Sequence, residues 1–123
     1  MKLLLRIACI MASMAAAVLP VDSLQAQTYP NKPVRVIVPF PPGGISDVLA
    51  RTMAQHLSGA TGQQFIVENR PGAGTTIAGD FVAKSAPDGY TIYFIDMTTH
   101  AINATLYTRL PYDSVKDFTQ IAM

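Results

Sequence analysis

Three short segments rich in glycine, proline and threonine hold the residues best suited to chemistry in this 123-residue sequence. Each precedes an amphipathic stretch and is expected to lead into the N-terminus of a helix. The first N–H groups of a helix lack intrahelical partners and the helix dipole is positive there, so these segments suit an anion such as a carboxylate. The residues concerned are Pro42, Gly43 and Gly44, then Gly72, Ala73, Gly74, Thr75 and Thr76, and finally Thr98, Thr99 and His100.

A structural interpretation of the same segments stands beside the binding one. Glycine and threonine are ordinary capping residues, so any single segment can be explained without a ligand. His100 can donate to a bound anion or cap its own helix. Three such segments at one edge of a sheet favour binding.

Catalytic, cofactor and metal chemistry are not indicated. Ser46 lies outside a G-x-S-x-G elbow, and His56 is expected at the packed or partly exposed edge of the core. The spacing from Gly74 to Gly79 is too long for a dinucleotide fingerprint, and no P-loop lysine follows either glycine cluster. The histidines and aspartates lack metal-ligand spacing. We therefore expect no enzyme, no cofactor and no metal.

Alternating strands and helices must position these segments. Three apolar runs rich in β-branched residues predict strands over 34–38, 64–68 and 91–95. The stretches between and after them have helical periodicity. The first helix is expected to be capped by Ser46 or Asp47, to end by Gly62 and to bury Val48, Leu49, Met53 and Leu57. The second is expected to begin at Thr75 or Thr76, to bury Ile77, Ala78, Phe81 and Val82, and to close at 87–89. The third is expected to cover 100–106.

This order predicts an α/β fold, a parallel sheet with flanking helices and right-handed crossovers. Every strand of a parallel sheet ends at the same edge, so the three segments are expected to meet at the carboxyl edge, where open α/β folds bind ligands.

Charge and the N-terminus narrow the class of protein. The sequence has nine Lys and Arg residues and eight Asp and Glu residues, a near-neutral balance that does not fit a nucleic-acid-binding surface. Residues 1–26 have a basic start, an apolar stretch over 7–19 and a small-residue cleavage site, which predicts a cleaved signal peptide and export to the periplasm. The apolar stretch is too short to span a membrane. Cys9, the one cysteine, lies within this signal.

Four motifs at 29–44, 67–74, 86–91 and 110–118 closely resemble the Bug-type receptors of tripartite tricarboxylate transporters. The resemblance implies a type II periplasmic-binding-protein fold, in which two α/β lobes close on a small carboxylated ligand. Residues 27–123 correspond to the first lobe, the second lobe is expected to be missing, and 119–123 are expected to begin a strand. Mapping by motif extends the binding segments to 40–47, 69–76 and 98–100, which adds Phe40, Ser46, Asp47 and Asn69.

The leading hypothesis is therefore an exported, monomeric solute receptor fragment for a di- or tricarboxylate. The resemblance implies a membrane permease as its partner. Two alternatives stay open, an exported α/β enzyme that acts on a carboxylated substrate and a non-functional remnant.

Overall fold

The computed structural model describes residues 28–122, so the predicted signal peptide at 1–26 lies outside the described residues. Three parallel strands form one sheet in the order β2-β1-β3, and they are β1 (Val34–Val38), β2 (Phe65–Asn69) and β3 (Thr91–Tyr93). Three helices follow them in turn, α1 (Ile45–Thr61), α2 (Thr76–Ala83) and α3 (Met97–Leu106), with a 3₁₀ turn at Ala73–Thr75 before α2. The prediction of a parallel α/β sheet is confirmed.

The first strand lies in the middle of the sheet. The chain passes from β1 to β2 on one side and then crosses back to β3 on the other. Because both crossovers are expected to be right-handed, α1 and α2 must lie on opposite faces. Alternate residues of β1 agree with this: Val36 and Val38 pack against Ala50 of α1, whereas the Arg35 guanidinium lies over the Phe81 ring of α2. The crevice where this reversal occurs opens at the carboxyl ends of β1 and β3.

The buried side of α1 differs from the predicted one. Asp47, Ala50 and Ala54 are its buried residues, whereas Val48 and Leu49 are more than half exposed. The apolar spacing did select Met53, which is partly buried against the core. Small alanines let the helix approach the valines of β1 closely, and the larger aliphatic residues turn outwards.

Several predicted boundaries also change. Gly44 is the N-cap of α1, with no side-chain cap, so the expected cap at Ser46 or Asp47 is wrong. At the other end, Gly62 closes the helix in the left-handed conformation, as expected. The second helix ends at Ala83, before the predicted close at 87–89, and its Ile77 is exposed although it was expected to be buried. The third helix begins at Met97, three residues earlier than predicted. Residues 119–122 form no strand, because no described neighbour pairs with them.

The reversed face of α1 gives a direct prediction. We expect Leu49→Gln to change the free energy of unfolding by less than about 0.5 kcal/mol, because the side chain is already in water. The neighbouring Ala50→Gln should destabilise the chain by about 1–2 kcal/mol, because it places a larger polar group in a packed interface. Urea unfolding of both variants measures the difference. Equal effects, or a larger effect at Leu49, would show that the helix packs by the other face.

Candidate functional site

Three loops meet at the carboxyl edge of the sheet, as the topology predicts. The first edge loop (residues 39–44) follows β1, the second (70–75) follows β2, and the third (94–96) follows β3. Backbone hydrogen bonds extend the sheet into the latter two: Arg70 N donates to Val38 O at 2.8 Å and Phe94 N to Ile37 O at 2.9 Å. Each loop thus leaves the sheet in a defined direction, towards the start of its own helix.

The Asp47 carboxylate fixes the first edge loop. It is 3% exposed and accepts hydrogen bonds from Gly43 N (2.9 Å), Arg51 Nε (3.0 Å) and Asn69 Nδ2 (2.9 Å). Asn69 Nδ2 also donates to Phe40 O, and its Oδ1 accepts from Arg51 at 3.0 Å. The side chains of Asp47 and Asn69 are therefore occupied within the protein, and they join the first loop to the end of β2.

These donors lower the pKa of Asp47 to about 2, from 3.8. The hydrogen bond from Arg51 has the largest effect, followed by those from the Gly43 backbone and Asn69. A carboxylate held in this way stays ionised at all but strongly acidic pH. The first edge loop therefore keeps its shape across the physiological range, with the N–H of Gly44 at the exposed N-terminus of α1.

The second edge loop has an unusual backbone. Four consecutive residues have positive φ, namely Gly72 (132°), Ala73 (45°), Gly74 (59°) and Thr75 (76°). A β-branched residue in the left-handed region is strained by about 1–2 kcal/mol, so the surrounding structure must hold Thr75 there. The Thr75 N–H donates back to Gly72 O and the Thr76 N–H to Ala73 O, so the Gly74 N–H is the group this loop can offer to an anion.

Side chains from β3 and α3 hold this backbone by its carbonyl groups. Asn103 Nδ2 donates to Gly74 O at 2.9 Å and to the Thr75 hydroxyl at 2.7 Å, and Tyr93 donates to Thr75 O at 3.2 Å. Tyr107 donates to Ala73 O at 3.3 Å. Because a trans peptide directs its N–H opposite to its carbonyl, the Gly74 N–H points away from the Tyr107 hydroxyl that donates to Ala73 O. The loop thus presents a donor on its exposed side.

The positive φ of Ala73 allows a test of this backbone. Ala73 is exposed, so Ala73→Gly should relieve strain without losing a packed side chain, and we expect a gain of about 0.5 kcal/mol in unfolding free energy. The same substitution at Ala60, exposed within α1, should cost about 0.5–1 kcal/mol. Thermal or urea unfolding compares the two. A loss at both positions would contradict the left-handed conformation of Ala73.

Asp96, the last residue of the third edge loop, is the N-cap of α3. Its Oδ1 accepts the Thr99 N–H at 2.7 Å. Burial alone would raise the pKa of Asp96, but the hydrogen bonds from the Thr99 backbone and side chain bring it below its usual value. Thr98 and Thr99 therefore lie in the first turn of α3, not ahead of it, with Thr98 exposed.

His100 is turned into the protein. Its Nε2 donates to Ser114 O at 2.9 Å, and its ring packs with Phe118, Tyr93 and Tyr112 at centroid distances of 5.1, 6.2 and 6.5 Å. Asp96 caps the helix, so the expectation that His100 does so is wrong. The imidazole is thus part of an aromatic cluster behind the loops. His56 is exposed on α1, so its expected position at the packed edge of the core is wrong.

The structure therefore divides the predicted residues into two groups. Those on the edge loops or in the first turns of the helices that follow are Pro42, Gly43, Gly44, Ser46, Gly72, Ala73, Gly74, Thr76, Thr98 and Thr99. The N–H groups of Gly43, Thr76 and Thr99 already donate within the protein. Those whose side chains brace the edge from within are Asp47, Asn69, Thr75 and His100, and Phe40 packs partly buried against the core. Two surface depressions, of about 520 and 560 Å³, lie elsewhere, beside α2 and beside residues 110–117.

Two bracing residues were not predicted from the sequence. Arg51 stands four residues after Asp47, a spacing typical of an ion pair on one helix face, so a signal existed. Asn103 is 3% exposed within α3, and nothing in its local sequence marks it as buried or as a partner of the second edge loop. No helix within residues 28–122 is long and apolar enough to cross a membrane.

Comparison with known proteins shows which family the sequence matches. Residues 49–123 match the family described as tripartite tricarboxylate transporter family receptor. Protein BugT of Bordetella pertussis is 43% identical over 101 residues, a match that covers 81% of this chain and 31% of BugT. The chain thus spans about a third of the length of the curated relatives it matches.

Solved structures share the same fold. MatC from Rhodopseudomonas palustris with bound malate aligns with a TM-score of 0.69 and 40% identity, over 74% of this chain and 31% of MatC. A protein of R. palustris described with adipate aligns with a TM-score of 0.66 and 41% identity, over 70% of this chain and 29% of that one. The predicted likeness to a lobe of a periplasmic binding protein is confirmed at the level of the fold.

Proposed function

We propose that this chain, which belongs to the tripartite tricarboxylate transporter receptor family, is an extracytoplasmic receptor lobe that binds a small carboxylated organic acid. The observation that carries the proposal is the convergence of three helix-leading loops at one edge, with their carbonyl and carboxylate groups held from behind. Such an edge offers N–H groups and hydroxyls to an anion without a dedicated arginine. The malate and adipate described with two structural neighbours support a dicarboxylate as the ligand class.

The cellular setting follows from family membership and from the N-terminal sequence. We propose that residues 1–26 direct export, that residues 27–123 form one α/β lobe in the periplasm, and that permease subunits of the transporter receive the loaded receptor. A single lobe provides one wall of a cleft. A ligand bound to residues 27–123 by themselves keeps part of its hydration shell, so we expect its binding to this segment to be weak.

Thermal unfolding with a panel of organic acids tests the proposal. A ligand that binds only the folded chain raises Tm by an amount that grows with the logarithm of its concentration once that concentration exceeds Kd. Malate and adipate should raise Tm, and their methyl diesters should not, because the esters lack the anionic groups. Equal shifts with acids and esters, or none at high concentration, would count against a carboxylate receptor.

Gly44 allows one N–H group to be removed cleanly. Its φ of −77° already suits proline, so Gly44→Pro deletes the N–H at the start of α1 without strain at its own φ. A hydrogen bond to a charged group contributes about 1.5–3 kcal/mol, so we expect affinity for malate to fall about tenfold or more. Gly44→Ala keeps the N–H and is the matched control. Equal affinities of the two variants would remove this N–H from the site.

A further inference from the structure

The depression of about 520 Å³ beside α2 shares only Arg70, the first residue of the second edge loop, with the three edge loops. It runs between α2 and the face of the sheet that α1 does not cover. Apolar groups from Ile77, Phe81 and Ala86 line one part of it. Polar groups line the rest, namely the cations of Arg35, Arg70 and Lys84, the Asp80 carboxylate and the hydroxyls of Ser85 and Thr91. We call this depression the Arg70 groove.

The charges in the Arg70 groove do not cancel. Arg35 pairs with Glu68 through two hydrogen bonds, of 2.6 and 2.8 Å, and Lys84 pairs with Asp80 at 2.7 Å. The closest carboxylate to Arg70 is the same Glu68, whose Oε2 lies 3.5 Å from Nη2 and already accepts from Arg35. Three cations thus share two carboxylates, and the excess positive charge lies on Arg70.

Packing holds the Arg70 side chain in place. Its backbone N–H is bonded to the end of β1, and its guanidinium carbon lies 3.8 Å from the centroid of the Phe81 ring. Stacking occupies the flat face of a guanidinium and leaves the N–H edge for a planar, bidentate acceptor such as a carboxylate. The groove therefore combines a positioned donor with an adjacent apolar surface, since Ile77 is 52% exposed.

We propose that the Arg70 groove binds an acidic segment of a protein partner, with a Glu or Asp carboxylate on Arg70 and a neighbouring aliphatic side chain against Ile77 and Phe81. The groove is open, because the side chains of Arg35, Arg70 and Lys84 are 40%, 37% and 68% exposed. An open groove suits a chain segment that is held elsewhere as well, whereas small ligands are usually enclosed on most sides. This surface is distinct from the proposed carboxylate site at the edge loops.

Titration of the purified chain with two blocked peptides, followed by amide NMR, tests the proposal. Acetyl-Leu-Glu-Leu-amide should shift the Ile77, Phe81 and Ala86 signals in a saturable way. Acetyl-Leu-Gln-Leu-amide should bind at least about fivefold more weakly. This comparison uses the unaltered chain, so it does not depend on how a variant folds. Identical binding of both peptides, or no binding of the first, would overturn the proposal.

Variants and a free acid complete the test. Arg70→Gln should remove the preference for the Glu peptide, Arg70→Lys should retain only part of it, and Arg109→Gln, at an exposed arginine elsewhere, should leave it intact. Hexanoate carries the same chemistry without a peptide. If hexanoate bound as tightly as the Glu peptide, the groove would be a site for free organic acids and the protein-segment proposal would be wrong.

Discussion

Replacing Asn103 with alanine is expected to lower the free energy of unfolding by about 2–4 kcal/mol and to release the second edge loop. Asn103 is 3% exposed, and its amide donates to Gly74 O and to the Thr75 hydroxyl. Its removal leaves two polar atoms without a donor in a place that water reaches poorly, which costs about 1–3 kcal/mol for each group. The left-handed conformation of Thr75 also loses a support that offsets its strain.

Urea unfolding and amide NMR measure these two effects. Thr105→Ala, on the exposed side of the same helix, is the control and should change stability by less than about 0.5 kcal/mol. If Asn103→Ala and Thr105→Ala were equally mild, and the Gly72 to Thr76 signals kept their positions, the loop would not depend on α3.

Asp47→Asn is expected to lower Tm at neutral pH by roughly 10 °C, because Arg51, Asn69 and the Gly43 N–H lose a shared anionic acceptor. The loss should depend on pH in a defined direction. The pKa of Asp47 is about 2 in the folded chain, against an ordinary value of 3.8. Its carboxylate therefore stabilises the fold fully above about pH 4, and this stabilisation is lost as pH falls towards 2.

The unfolding midpoint in urea, measured from pH 7 to pH 2, tests this account of Asp47. The unaltered chain should lose stability between pH 4 and 2, and Asp47→Asn should lose less over the same interval, so the two curves should converge in acid. Parallel curves would show that Asp47 has the same pKa in the folded and unfolded chains. They would remove its proposed role in fixing the first edge loop.

The sequence predicted the parallel strands and the meeting of the three loops well, for physical reasons. A β-branched run such as Val34–Val38 suits a buried central strand and little else, and alternation with helices leaves a parallel sheet as the simple arrangement. Parallel strands in turn place all their following loops at one edge. The meeting of the three loops was therefore predictable without any knowledge of side-chain contacts.

Other features depend on contacts distant in sequence. Val48 and Leu49 have the spacing of a buried stripe, but the valines of β1 pack closest to Ala50 and Ala54. Asn103 lies 29 positions from Gly74, and a polar residue within a helix gives no local sign of such a partner. His100 likewise faces the aromatic cluster because residues 112–118 fold back over it, which its own helix does not reveal.

The central claim is that backbone N–H groups of the three edge loops form the anion site. Amide NMR of the chain titrated with malate tests it most directly, because the shifted signals identify the groups that meet the ligand. The account predicts saturable shifts at Gly44, Gly74 and Thr98, with none for the methyl diester. Shifts confined to the Arg70 groove or to residues 110–117, or no saturable shifts, would contradict it.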